Sequence, residues 1–121
     1  MIKSGEFSLA LQEGSRGYYA FVRLEVLIER QGSGVVLEFA VPSEWRAGVE
    51  FGVRYAFERI LDPAERGRVL IRVTEIRGHA VDTTEVVAAY AAAFALWRAF
   101  GREPARLPSL DAAAGIFQFP K

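Results

Sequence analysis

Residues 18–29, Tyr18-Tyr19-Ala20-Phe21-Val22-Arg23-Leu24-Glu25-Val26-Leu27-Ile28-Glu29, decide the fold. In an extended chain Ala20, Val22, Leu24, Val26 and Ile28 fall on one face, and Phe21, Arg23, Glu25, Leu27 and Glu29 on the other. A period of two with one apolar and one mixed face describes a strand with one side buried and one side wet. A sheet built on this strand has one face to cover, and the rest of the chain must supply the cover.

Working outward, Glu6 to Gln12 also alternates, with Phe7, Leu9 and Leu11 on one side, and reads as a first, edge strand. Glu13-Gly14-Ser15-Arg16-Gly17 reads as the loop between the two. Beyond Glu29, Arg30-Gln31-Gly32-Ser33-Gly34 reads as a turn. Val35 to Val41 is a third strand, its Val35, Leu37, Phe39 and Val41 matching the buried face. The short connection predicts a hairpin between the second and third strands. Pro42 then ends the strand and suits a helix entry.

Ser43 to Ile60 carries Trp45, Val49, Gly52, Val53, Ala56, Phe57 and Ile60 at helical spacing and stops at Leu61-Asp62-Pro63. Arg68 to Ile76 gives a fourth strand, with Val69, Ile71 and Val73 inward and Leu70, Arg72 and Thr74 outward. Arg77-Gly78-His79-Ala80-Val81 is a loop. Asp82 to Phe100 is a second helix, with Asp82 as its cap and Glu85 reaching back in a capping box. This helix is apolar on nearly every face, so it needs cover on more than one side. Gly48 and Gly52, four apart, offer the first helix as a close neighbour for Ala88, Ala91 and Ala92. After Gly101 the texture changes. Pro104 and Pro108 break regular structure, Ser109 to Ala114 fits one helical turn, and Ile116, Phe117 and Phe119 call for docking on this domain or on a partner.

The expectation is an α+β chain: a two-layer α/β sandwich in β-β-β-α-β-α order, with a four-stranded sheet and two helices on one face. Residues 1–101 form the domain and residues 102–121 a docked C-terminal tail. A length of 121 residues and 51% hydrophobic content fit one core. Formal net charge is zero, which argues against indiscriminate nucleic-acid binding while leaving a local basic patch open. There is no cysteine, so disulfides and thiolate chemistry are excluded and a reducing cytoplasm is the expected setting. Val86 to Trp97, the longest uncharged helical run, falls short of the roughly 20 residues a bilayer requires, so no membrane partner is expected.

Catalytic patterns are wanting. His79 is the single histidine, the serines and threonines sit in turns and caps, and no Gly-x-x-x-x-Gly-Lys phosphate loop occurs. One histidine without cysteine gives no metal set and implies no cofactor. Glu25, Glu29 and Glu38 share the wet face with Arg23 and Arg72, which reads as cross-strand ion pairing rather than acid–base chemistry. The two loops differ in interest. If the second and fourth strands run antiparallel, Arg16, Arg77 and His79 meet at one end as a small basic tip.

The element order and several segments resemble a known family. Val41-Pro42-Ser43-Glu44-Trp45 leading into Gly48-Val49-Glu50-Phe51-Gly52-Val53 resembles the first helix of the fourth domain of elongation factor G. His79-Ala80-Val81-Asp82-Thr83-Thr84-Glu85 is similar to that family's His-x-Val-Asp-Ser-Ser-Glu segment. Gln12 to Tyr19 looks like an altered form of its Gly-rich tip loop, with Gly14-Ser15 and Tyr19-Ala20 departing from the family pattern. The likeness covers roughly residues 12 to 100. It implies a left-handed βαβ crossover and a domain that reaches the decoding region of the small ribosomal subunit without chemistry of its own. It carries the RNA-contacting tip onto Arg16, Gly17, Tyr18, Arg77, Gly78 and His79, and no GTPase domain accompanies it here. Two functions follow as expectations. One is a ribosome- or RNA-binding module. The other is a protein-interaction or homo-oligomerising module, acting through the apolar tail or through Phe21, Leu27 and Leu70 on the sheet face.

Overall fold

A computed structural model describes residues 2–29, 31–60 and 67–121. The elements are β1 (Ile2–Glu13), β2 (Arg16–Glu29), β3 (Gly34–Phe39), α1 (Arg46–Glu58), β4 (Arg68–Gly78), α2 (Glu85–Phe100), β5 (Ser109–Asp111) and β6 (Ile116–Gln118). The first four strands form one mixed sheet in the order β1-β2-β4-β3, and β5 and β6 form a separate hairpin. The two helices lie in a second layer, making the expected two-layer α+β sandwich.

β1 and β2 are joined by the two-residue turn Gly14-Ser15, with Gly14 at φ 60°, where a side chain would strain the backbone. The longer expected loop is therefore shorter, and Arg16 and Gly17 already belong to β2. The expected β2–β3 hairpin does not form. β4 lies between them, antiparallel to β2 and parallel to β3. A short connection limits how far apart two strands can lie, but it does not forbid a later strand from entering between them.

β4 contains a bulge. Arg23 pairs with Glu75 and Leu24 with Val73, so Thr74 is the extra residue. Its Oγ1 donates to the Arg23 carbonyl at 3.3 Å. Strict alternation from Val69, Ile71 and Val73 would send Glu75 and Arg77 into the core. The bulge resets the phase, so that Ile76 packs against the core while Glu75 and Arg77 stay on the open face. This carries β4 on to Gly78, two residues beyond the expected end.

The core lies between the sheet and the helices. Val22, Leu24, Val26, Val69, Ile71 and Val73 from the sheet meet Val49, Val53, Leu96 and Trp97 from the helices, all 0–1% exposed. The helices approach closely because Gly48 and Gly52 have no side chain. A methyl at either position would overlap the carbonyl of Glu85 or of Ala89 in α2. Trp97 Nε1 donates to the Ala56 carbonyl at 3.0 Å, tying α2 to α1 through the one polar atom of a buried indole. The expected helix stop at Leu61-Asp62-Pro63 lies outside the described residues.

The cap of α2 differs from expectation. Thr84 is the N-cap, its Oγ1 accepting from the Val87 N–H at 3.3 Å, and Glu85 is the first helical residue. Asp82 and Glu85 therefore form no capping box. The tail is docked on this domain, but as a hairpin rather than a helical turn. Phe117 packs edge-on against Tyr18 and Tyr90, and Phe119 against Phe51 and Tyr55. Its end is held by the Pro120 carbonyl, which accepts from the Tyr55 hydroxyl and, at 3.1 Å, from Arg59 Nε.

Candidate nucleic-acid interface

The antiparallel pairing of β2 with β4 sets Ala20 opposite Gly78, so the start of β2 and the segment after β4 share one end of the sheet. Thr83 stitches that end together. It is the buried polar residue here, at 6% exposure. Its hydroxyl donates to the Tyr19 carbonyl and accepts from the His79 N–H at 2.7 Å, and its own N–H donates to the His79 carbonyl at 2.9 Å. The Tyr19 N–H donates to the Asp82 carbonyl at 3.1 Å. Residues 79–83 thus form a turn closed between Thr83 and His79 and fixed to the Tyr19 main chain of β2 by the Asp82 carbonyl and the Thr83 hydroxyl.

The six expected contact residues divide. Arg77 and His79 lie on the open side of the tip. The His79 ring stacks on Tyr19 with centroids 4.5 Å apart and planes 25° apart. Its Nδ1 lies 4.0 Å from an Asp82 carboxylate oxygen. The Arg77 guanidinium sits over the Phe21 ring at 4.6 Å and is ion-paired to Glu75. That hydrogen bond is the main cause of a Glu75 carboxyl held below its ordinary range and an Arg77 guanidinium held above its own.

Gly17 and Gly78 serve packing. A Cβ on Gly17 would come within 2.6 Å of the Asp82 carboxylate, and one on Gly78 within 2.7 Å of Trp45 and of the Thr83 hydroxyl. Tyr18 points into the core at 8% exposure, and its hydroxyl donates to the Ala112 carbonyl at 2.6 Å, anchoring the tail. Arg16 is turned to the same tail, its Nη1 lying over Gly115. Parity separates the two tyrosines: Tyr18 shares a face with Ala20 and Val22, and Tyr19 shares one with Phe21. Read that way, the sequence would have exchanged Tyr18 for Tyr19 among the contact residues.

The open face continues from this tip. Phe21 lies between Arg77 and Arg23, the latter at 5.4 Å from its ring. Arg23 bridges Glu6 at 3.1 Å and Glu75 at 3.0 Å, and Arg72 meets Glu38 at 3.4 Å. The carboxylates of Glu6, Glu38 and Glu75 are thus engaged in pairs across this face. Across the two tip segments Glu13 and Asp82 balance Arg16 and Arg77. The expected basic tip is therefore a neutral one presenting stacked rings. Among the described residues no three His, Asp or Glu gather as a metal set, and no helix is long and apolar enough to cross a membrane.

No family model and no curated protein matches the chain. Solved structures do. One is the crystal structure of a protein from Thermus thermophilus. It is 21% identical, covers 78% of this chain and superposes with a TM-score of 0.61. The match takes in 15% of that protein's length. At this identity the likeness shows the fold, a domain-sized unit that recurs within a much longer chain.

Proposed function

We propose that this chain is a non-enzymatic RNA-contacting module of the kind formed by the fourth domain of elongation factor G, working on the small ribosomal subunit by shape and stacking. The supporting observation is the exposed His79 ring stacked on Tyr19 at the end where β2 and the segment after β4 meet. Unpaired bases are bound by stacking on histidine and tyrosine rings, each worth about 1–3 kcal/mol. With Arg77 paired to Glu75 and the tip neutral, few phosphates are engaged, and binding depends weakly on salt. Co-sedimentation with small ribosomal subunits tests this, alongside anisotropy with a single-stranded RNA probe. His79→Ala weakens binding about tenfold or more, while Arg16→Glu/Arg77→Glu has the smaller effect. No binding by the unaltered chain, or equal binding by His79→Ala, sinks the proposal.

A second reading, a protein-docking module, has its own support. Ile2, Leu27, Leu70 and Val36 form one row across all four strands of the open face. Glu25, Glu38 and Arg72 join Ile2, Leu27 and Leu70 in lining a shallow depression. This reading stands if RNA binding is absent and Leu27→Glu/Leu70→Glu abolishes association with a protein partner of the unaltered chain.

A further inference from the structure

β1 is the outer strand of the sheet for 12 residues and pairs with β2 without interruption from Ile2↔Leu27 to Glu13↔Arg16. It has neither proline nor bulge, the common protections of an exposed edge. The groups it offers outward follow from its neighbour. Tyr19, opposite Ala10, directs its N–H to Asp82 and its carbonyl to Thr83, both away from β1. Strand alternation then leaves the N–H and C=O of Ser4, Glu6, Ser8, Ala10 and Gln12 facing outward. Arg98 agrees with this polarity: it reaches round the edge to donate to the Glu6 carbonyl at 3.2 Å, its guanidinium over Phe7 at 4.8 Å.

We propose that this edge pairs with the β1 edge of a second copy, antiparallel about a two-fold axis at Ser8, to give a continuous eight-stranded sheet. Charge complementarity selects the register. The charged residues of β1 are Lys3, Glu6 and Glu13. An axis at Glu6 would oppose two carboxylates. An axis at Ser8 sets Lys3 opposite Glu13 of the second copy, twice by symmetry, and Glu6 opposite Ala10. On the helix side the same register places Phe7 opposite Leu9. The exposed Leu11 then lies opposite Gly5, beside the α2 backbone at Ala95 and Ala99. The N–H of Ala10 in the second copy replaces Arg98 at the Glu6 carbonyl, so Arg98 competes with the dimer.

Sedimentation equilibrium of the full chain over a wide concentration range tests the proposal, with circular dichroism to monitor folding. A reversible dimer is expected. Ser8→Pro removes an outward N–H and no β1–β2 bond, and yields a folded monomer. Lys3→Glu weakens the dimer about tenfold through two like-charge pairs, Lys3→Glu/Glu13→Lys restores it, and Arg98→Ala tightens it. A monomer at every concentration overturns the proposal. So does a dimer that keeps its strength in Lys3→Glu, a variant whose exposed site leaves the fold intact even if Ser8→Pro does not. The dimer is independent of the tip: its loss leaves RNA binding per chain unchanged, and His79→Ala leaves it intact.

Discussion

Thr83 shows how one side chain sets an end of the molecule. Its hydroxyl serves both Tyr19 of β2 and His79 after β4. Thr83→Val keeps the shape and leaves a buried carbonyl and an N–H without that partner. The expected cost is about 1–3 kcal/mol in urea unfolding. His79 loses its fixed place over Tyr19, and any RNA affinity falls with it. Gly52 makes the opposite point. In an isolated helix Gly→Ala stabilises by about 1 kcal/mol. Here the new methyl meets the Ala89 carbonyl, a backbone atom that cannot step aside without moving α2. Overpacking of about 1–3 kcal/mol outweighs propensity, so Gly52→Ala lowers the melting temperature, and thermal denaturation by circular dichroism reads the sign. The glycine spacing was legible in the sequence because four-residue periodicity is a local property. The cap was not. Asp82, Thr83 and Thr84 can each cap a helix, and the choice falls to Thr84 because Thr83 is drawn into the sheet end and Asp82 packs against Gly17.

Among the elements, β4 depends on its bulge. Deleting Thr74 would remove the extra residue, so that Glu75 follows Val73 directly and strict alternation keeps Glu75 and Arg77 on the open face and Ile76 inward. The deletion variant is therefore expected to keep a cooperative unfolding transition, as is Thr74→Ala, which loses one hydrogen bond and about 1 kcal/mol of stability. Denaturant titration of the pair separates register from side-chain chemistry. The bulge had a signature in the sequence: the inward residues run Val69, Ile71, Val73 and then Ile76, so the spacing changes from two to three. The tail hairpin had a weaker one. The Asp111 carbonyl and carboxylate accept from the Gly115 and Ala114 N–H groups at 2.8 and 3.2 Å, which closes a turn where helical spacing alone suggested a helix.

At the scale of the whole molecule, the layer assignment followed from the alternation in β2 and from the all-round apolarity of α2. Both are periodic signals that survive any arrangement of the remaining strands. The order β1-β2-β4-β3 is not periodic. It depends on contacts between residues some forty positions apart, such as Leu27 with Leu70. That strand order has a kinetic consequence. β2 and β3 run antiparallel and are separated in sequence by residues 30–33, so their direct hairpin is the pairing the chain can reach first, in about 1–10 μs. The native sheet needs that space for β4, which joins across a far longer loop and at greater entropic cost. A β2–β3 hairpin formed early must reopen before β4 can enter. Stopped-flow refolding is expected to show a folding limb that flattens at low denaturant, and Val36→Pro, which weakens the premature hairpin on the outer strand, is expected to reduce that flattening while also lowering equilibrium stability. A linear limb in the unaltered chain would mean that β4 arrives before its two neighbours ever meet.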